Sequence, residues 1–207
     1  LEAGAFAPDS YASLQAARNA LLDFKKSGKW IVAYGDIYTQ GAYYLASVAD
    51  KLYLNPQGQI DWHGLAAQPV FLKDMLAKVG VKMQVAKVGT YKSATEQFTG
   101  DKMSDADRAQ TTAYLNGIWQ NITKGVSESR KISVATLNQY ADSLITFAAP
   151  NEYQKLKLVD GLLYTDQVKK EVKKLLNIEE KKRINQVSLT DLKGIDDEDD
   201  GEEIAVY

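Results

Sequence analysis

Apolar positions along the chain fall into two alternating rhythms. In PDSYASLQAARNALLDFKKSG (8–28), Tyr11, Leu14, Ala17, Leu21 and Phe24 mark one stripe of a 3.6-residue repeat, which predicts a helix. Asp9 or Ser10 offers its N-cap, the Lys25-Lys26 pair suits the negative end of the helix dipole, and Gly28 supplies the stop. KWIVAYG (29–35) is then a short unbroken run of β-branched and aromatic residues closed by glycine, the pattern of a buried parallel strand. TQGAYYLASVAD (39–50) predicts a second helix. KLYLNP (51–56) predicts a second strand, stopped by Asn55-Pro56.

The alternation continues downstream. FLKDMLAKVG (71–80) has helical spacing with Gly80 at its end, and VKMQVAKVG (81–89) alternates like a strand, with Val81, Met83 and Val85 on one side. SDADRAQTTAYLNGIWQNITKGVSESR (104–130) opens on Ser104 as an N-cap, carries acidic residues in its first turn, and shows Leu115, Ile118, Trp119 and Ile122 along one face. Further helices are expected to Leu176. Strands separated by helices imply right-handed crossovers and a mainly parallel sheet, an α/β fold.

Composition narrows the class. A chain of 207 residues holds one ordinary domain, with 45% hydrophobic and 25% charged residues as in globular proteins. The formal net charge of -2 gives no basic field to recruit nucleic acid. The absence of cysteine excludes disulfides, thiolate zinc sites and a cysteine nucleophile. No apolar run is long enough to span a membrane. LEAGAFAPDS at the start lacks an initiator methionine and reads as the end of a strand entering a turn. GIDDEDDGEEIAVY at the other end reads as an acidic linker followed by the opening of a strand. The expected organisation is a domain over 1–190 followed by a linker and first strand of a next domain over 191–207, the whole being part of a larger protein.

Candidate chemistry is sparse. Neither G-x-G-x-x-G nor G-x-x-x-x-G-K-[ST] occurs, so the glycines read as caps and turns. His63, the single histidine, has no second ligand at metal spacing, and no G-x-S-x-G elbow presents a serine. A serine hydroxyl would then need a lysine as its base, and a lysine can serve only where burial or neighbouring charge favours the neutral amine. Lys92, in VGTYKSATEQF (88–98), leaves an apolar run through Gly89 and precedes Ser93, Ala94 and Thr95. Spacing alone favours an ordinary exposed loop lysine.

VGTYKSATEQF closely resembles the lysine segment of the signal peptide peptidase A family, also called protease IV. SGKWIVAYGDIYTQGAYYLASVADKLYLNPQGQIDWHGLAAQPVFLKDMLAKVGV (27–81) is similar to the same family in order and spacing, as are GIWQNITKGVSESRKI (117–132) and KLKLVDGLLYTDQV (155–168). The resemblance implies a crotonase/Clp-protease-like fold, a repeated β-β-α superhelix with a mainly parallel sheet and flanking helices. It implies the first of two homologous halves of a serine endopeptidase with a Ser/Lys dyad. Lys92 would be the general base. The position that holds the nucleophilic serine in the second half falls near Gln40 here, and Ser47, farther along the helix, reads as packing. The serine would come from the C-terminal half, of the same or a neighbouring protomer.

The substrates implied are cleaved signal peptides. The implied setting is a bacterial cell envelope, outside the cytoplasm, anchored to the membrane by a segment upstream of Leu1, in a homo-oligomer. No cofactor, metal or nucleic acid is implied, and the chain by itself is expected to be inactive. Most aromatic residues, Tyr43, Tyr44 and Trp119 among them, are expected in the core. Residues 179–194 read either as a docking strand or as a solvated linker. Two other readings stay open: acyl-CoA chemistry on the related crotonase fold, for which no carboxylate is persuasively placed, and a non-catalytic scaffold.

Overall fold

The computed structural model describes residues 1, 2, 4, 10–187 and 191. The chain forms two compact units, Leu1–Val168 and Lys169–Tyr207. The linker and strand expected over 191–207 lie outside the described residues, apart from Asp191.

The first unit opens with helix α1, Tyr11–Lys26, whose N-cap Ser10 accepts a hydrogen bond from the Ser13 N–H at 3.1 Å. Strand β1 (Val32–Tyr38), helix α2 (Gln40–Ala46) and strand β2 (Lys51–Ile60) form a β-α-β unit in which Val32 lies opposite Lys51 and Ala33 opposite Leu52. The sheet is parallel throughout, in the order β1-β2-β3, with the short β3 (Gly161–Leu162) against Tyr53 and Leu54. Leu1 and Glu2 run along the outer side of β1, where the Tyr34 N–H donates to the Leu1 carbonyl at 3.0 Å. Helices α3 (Lys73–Lys78), α4 (Glu96–Thr99), α5 (Asp105–Arg130), α6 (Val134–Asp142) and α7 (Pro150–Lys155) lie between β2 and β3 in the chain, and α8 runs over Thr165–Leu175. The expected α/β class, its parallel sheet and the α5 N-cap at Ser104 are all observed. Ser104 Oγ accepts from the Asp107 N–H at 3.1 Å.

Two strand expectations need correction. β2 does not stop at Asn55-Pro56. Its register with β1 slips, Gly35 lying opposite Leu54 and Ile37 opposite Gln59, so residues 55–58 bulge out and Pro56 owes no ladder donor. The bulge requires Gly58, since a Cβ there would stand 2.4 Å from the Asp36 carbonyl oxygen. Residues 81–88, by contrast, alternate correctly but join no sheet among the described residues. Alternation declares a face that wants cover, while a strand also needs a free edge. Both edges of β2 are taken, by β1 and β3, and residues 81–88 pair with the outer edge of neither neighbour.

The core lies between α2, the sheet and α5 to α7. Tyr38, Tyr43, Trp62 and Trp119 form a chain of rings with centroids 6.3, 5.7 and 5.0 Å apart. Their polar ends are matched: Tyr43 Oη donates to the Leu158 carbonyl at 2.8 Å and Trp62 Nε1 to the Leu137 carbonyl at 2.9 Å. Tyr43 and Tyr44 are buried and Trp119 is half-buried against this core, as the sequence leads one to expect.

The buried face of α1 is narrower than its pattern. Tyr11 and Phe24 are exposed, and the two buried residues are Leu14 and Arg18. The Arg18 guanidinium donates to the Tyr44 carbonyl, to Ser47 Oγ at 2.8 Å, to the Gly125 carbonyl at 2.5 Å and to Ser129 Oγ at 2.6 Å. It also lies 4.4 Å from the centre of the Tyr44 ring. One cation thus joins α1, α2 and α5.

A second polar clamp closes the sheet. Arg130 at the end of α5 grips Asp160 through Nη2–Oδ1 at 2.8 Å and Nη1–Oδ2 at 3.2 Å, while the Leu52 N–H donates to Asp160 Oδ2 at 2.7 Å. Burial pushes the Asp160 carboxyl up, but the Arg130 and Leu52 hydrogen bonds and the Arg130 charge outweigh it and hold it below the usual carboxylate range. In the unit Lys169–Tyr207, Lys170 pairs with Glu180 at 3.2 Å and Lys174 with Glu171 at 2.6 Å.

Candidate active site

The segment carrying Lys92 is shaped by one glycine and two short turns. Beyond α3 the chain runs without ladder bonds to Gly89, whose φ of +95° turns it in a direction that other residues resist. The Lys92 N–H donates back to the Gly89 carbonyl at 3.4 Å, and Ser93–Thr95 form a 3-10 turn that leads into α4. Lys92 stands exposed at the mouth of this turn, and its amine has no hydrogen-bond or ion-pair partner among the described residues.

Two open clefts flank the turn. One, of about 680 Å³, is lined by Lys87, Val88, Tyr91, Lys92, Thr95 and Gln110 among others. The other, of about 450 Å³, lies on the far side of Ser93 and Ala94 and reaches Phe71, Glu96, Met103 and Thr111. Of the two amines on the first cleft, that of Lys87 is bound to Glu96 Oε1 at 3.2 Å, which leaves Lys92 as the unpaired one. Thr95 Oγ1 is buried without a hydrogen-bond partner among the described residues. Val88 and Tyr91 are 89% and 63% exposed, so the apolar flank of the Lys92 turn faces solvent in this chain.

Glu96 escaped the sequence reading. Its carboxylate accepts from Ser104 Oγ at 2.9 Å, from the Ser104 N–H at 3.2 Å and from Lys87. The two Ser104 hydrogen bonds, opposed in part by burial and helped by Lys87, hold it below the usual carboxylate range. The spacing Ser93 to Glu96 imitates a capping box, yet the carboxylate reaches forward eight residues instead of back three.

The other residues singled out lie elsewhere, and none of them bonds to Lys92 among the described residues. Gln40, the first residue of α2, is buried with both ends of its amide engaged. Oε1 accepts from the His63 and Gly64 N–H groups at 3.3 and 3.0 Å, and Nε2 donates to the Gly64 carbonyl at 3.2 Å. It latches a loop at the helix mouth. Ser47 is buried against Arg18 and donates to the Tyr44 carbonyl at 2.9 Å, a packing role as expected. His63 is exposed beside Asp61, with Nε2 and Oδ2 3.2 Å apart. Among the described residues, no group of three or more side chains converges as metal ligands, and no helix is long and apolar enough to cross a membrane.

Comparison with known proteins bears on this arrangement. Protease 4 of Salmonella typhi is 40% identical over 168 residues, 78% of this chain and 27% of that protein. Protease 4 of Haemophilus influenzae is 45% identical over 113 residues, 55% of this chain and 18% of that protein. The chloroplastic serine protease SPPA of Arabidopsis thaliana is 29% identical over 188 residues, 89% of this chain and 27% of that protein. The chain therefore spans about a quarter of these relatives, or less. The sequence profile of peptidase family S49 matches residues 23–179, a stretch that takes in the whole sheet, the Gln40 helix and the Lys92 turn. The chain belongs to peptidase family S49, whose fold is of the Clp-protease and crotonase type.

Proposed function

We propose that this chain is the lysine-bearing half of a serine endopeptidase, that Lys92 is its general base, and that the nucleophilic serine resides in a C-terminal half. The observation that carries this reading is the Lys92 turn: an amine with no hydrogen-bond or ion-pair partner among the described residues, at an open cleft where the other lysine, Lys87, is engaged by Glu96. Gln40 supports it from the other side, since the slot expected for a serine holds an amide committed to loop backbone.

In the proposed mechanism the neutral amine of Lys92 takes the proton from a serine Oγ as that oxygen bonds to a peptide carbonyl carbon. Backbone N–H groups stabilise the oxyanion, and the ammonium returns the proton to the leaving nitrogen as the C–N bond breaks. Water, deprotonated by the same amine, then hydrolyses the acyl ester. A lysine does this only where the charged form is disfavoured by desolvation. The exposed Val88 and Tyr91, which line the same cleft as Lys92, form an apolar flank that a C-terminal half would cover, drying the amine as it delivers the serine.

Cleaved signal peptides are the proposed substrates. The proposed setting is the cell envelope, outside the cytoplasm, with an upstream membrane anchor and a homo-oligomeric assembly. The same exposure of Lys92 also favours a second reading, in which the domain is a scaffold and chemistry happens elsewhere. Assaying the purified 207-residue chain against peptides that the full-length protein cleaves tests the division of labour. The chain alone is expected to be silent. Hydrolysis by the chain, abolished by Ser47→Ala or another serine substitution within it, would overturn the proposal.

A further inference from the structure

The Lys92 segment poses a mechanical problem. A base must hold its reacting atom to within a fraction of an ångström, because misplacement by about 1 Å can cost on the order of 100-fold in rate. Yet no backbone hydrogen bond ties residues 82–88 to another part of the fold among the described residues, and the glycine turn that follows is exposed. Rigidity has to come from side chains.

Glu96 is the side chain placed to supply it. It is only 8% exposed, which no carboxylate tolerates without donors, and its donors come from both directions along the chain. Lys87, five residues before Lys92, binds Oε1, and Ser104, at the N-terminus of the longest helix, binds both oxygens. Ser104 is itself fixed by capping α5. The carboxylate thus connects the incoming segment and the outgoing turn to a 26-residue helix, with Lys92 between the two attachments. The bonds of Glu96 are charge-assisted, the class that is stronger and more directional than neutral pairs.

We infer that Glu96 is the positioning residue for Lys92, acting through Lys87 and Ser104 without touching the reacting atoms. This rests on Lys92 being the base. Removing the anion should leave the fold and the substrate-binding groove in place and lower the fraction of time the amine points correctly.

The test uses the full-length protein with Glu96→Gln, Ser104→Ala, Ser104→Thr, Lys87→Met and Lys92→Ala, each assayed for kcat and KM on one peptide and for Tm. Glu96→Gln is expected to lower kcat about 10-fold or more with KM within about twofold of the parent. Ser104→Ala and Lys87→Met should lower kcat in the same direction and combine with Glu96→Gln less than additively. Ser104→Thr should restore most of what Ser104→Ala loses.

Unchanged kcat with a lowered Tm in Glu96→Gln would reduce the residue to a structural role and overturn the inference, as would a change confined to KM. If Glu96→Gln does not fold, the Ser104 and Lys87 variants decide by the same split. Inactivity of Lys92→Ala with full kcat in these variants sinks the positioning role alone. Full activity of Lys92→Ala sinks the base itself, and the positioning role with it.

Discussion

Replacing Lys92 with alanine in the full-length protein is expected to lower kcat/KM for peptide hydrolysis by roughly 10²- to 10⁴-fold, the usual contribution of a general base. Circular dichroism and Tm should stay those of the parent, because the side chain is exposed and binds nothing among the described residues. Lys92→Arg separates proton transfer from charge. Arginine keeps the positive charge but cannot be deprotonated in a protein, so it is expected to fail as badly as alanine. Recovery of activity in Lys92→Arg would make Lys92 an electrostatic contact, and retention in both variants would make the domain a scaffold.

The largest expected loss of stability is at Arg18. Arg18→Ala strips the donors from the Tyr44 and Gly125 carbonyls and from Ser47 and Ser129 in one change, and it empties the space beside the Tyr44 ring. Buried polar atoms left without partners cost about 1–3 kcal/mol each, but Ser47 Oγ and the Tyr44 carbonyl keep their bond to each other and water will enter the gap. A total of about 3–5 kcal/mol is therefore expected, comparable to breaking a buried ion pair. A Cβ on Gly125 would lie 2.7 Å from Tyr44 Cε2 and 3.2 Å from Arg18 Nε, so α5 approaches too closely to repack around a shorter residue. Denaturant unfolding of wild type and Arg18→Ala measures this directly. A difference below about 1 kcal/mol would mean that the α1, α2 and α5 junction is held by apolar contact instead.

These two residues also mark what the sequence made legible. Helical periodicity located α1 and α5, because that signal is local and records which side is buried, while the apolar run before Gly35 marked β1 but not its end, since the strand continues through Gly35 to Tyr38. Arg18 lies in the stripe of α1 between Ala17 and Leu21, where a charged residue reads as exposed until its four acceptors from distant elements are seen together. Residues 81–88 erred in the opposite sense: period two was present and pairing with the sheet was not. The bulge that carries β2 past Pro56 depends on the approach of Gly58 to Asp36, a contact between strands that no window within one strand contains.

The candidate site divides in the same way. Lys92 came forward only through the likeness of VGTYKSATEQF to a known family, since spacing alone favoured an ordinary loop lysine. Gln40 was noticed because the serine position implied by the resemblance falls near it, while its hold on His63 and Gly64 is visible only once the chain folds. Glu96 carried no local signal, because its partner Ser104 is joined to it by a loop that brings the cap of α5 back onto α4.

The most direct test of the central claim is to treat the full-length protein with a serine-directed phosphonate and map the modified residue by peptide mass spectrometry, in wild type and in Lys92→Ala. The expected result is a single labelled serine lying beyond Tyr207, with labelling lost or slowed by powers of ten in Lys92→Ala at unchanged Tm. A label on a serine within residues 1–207, or labelling indifferent to Lys92, would contradict the assignment of Lys92 as the base for a serine supplied from outside this chain.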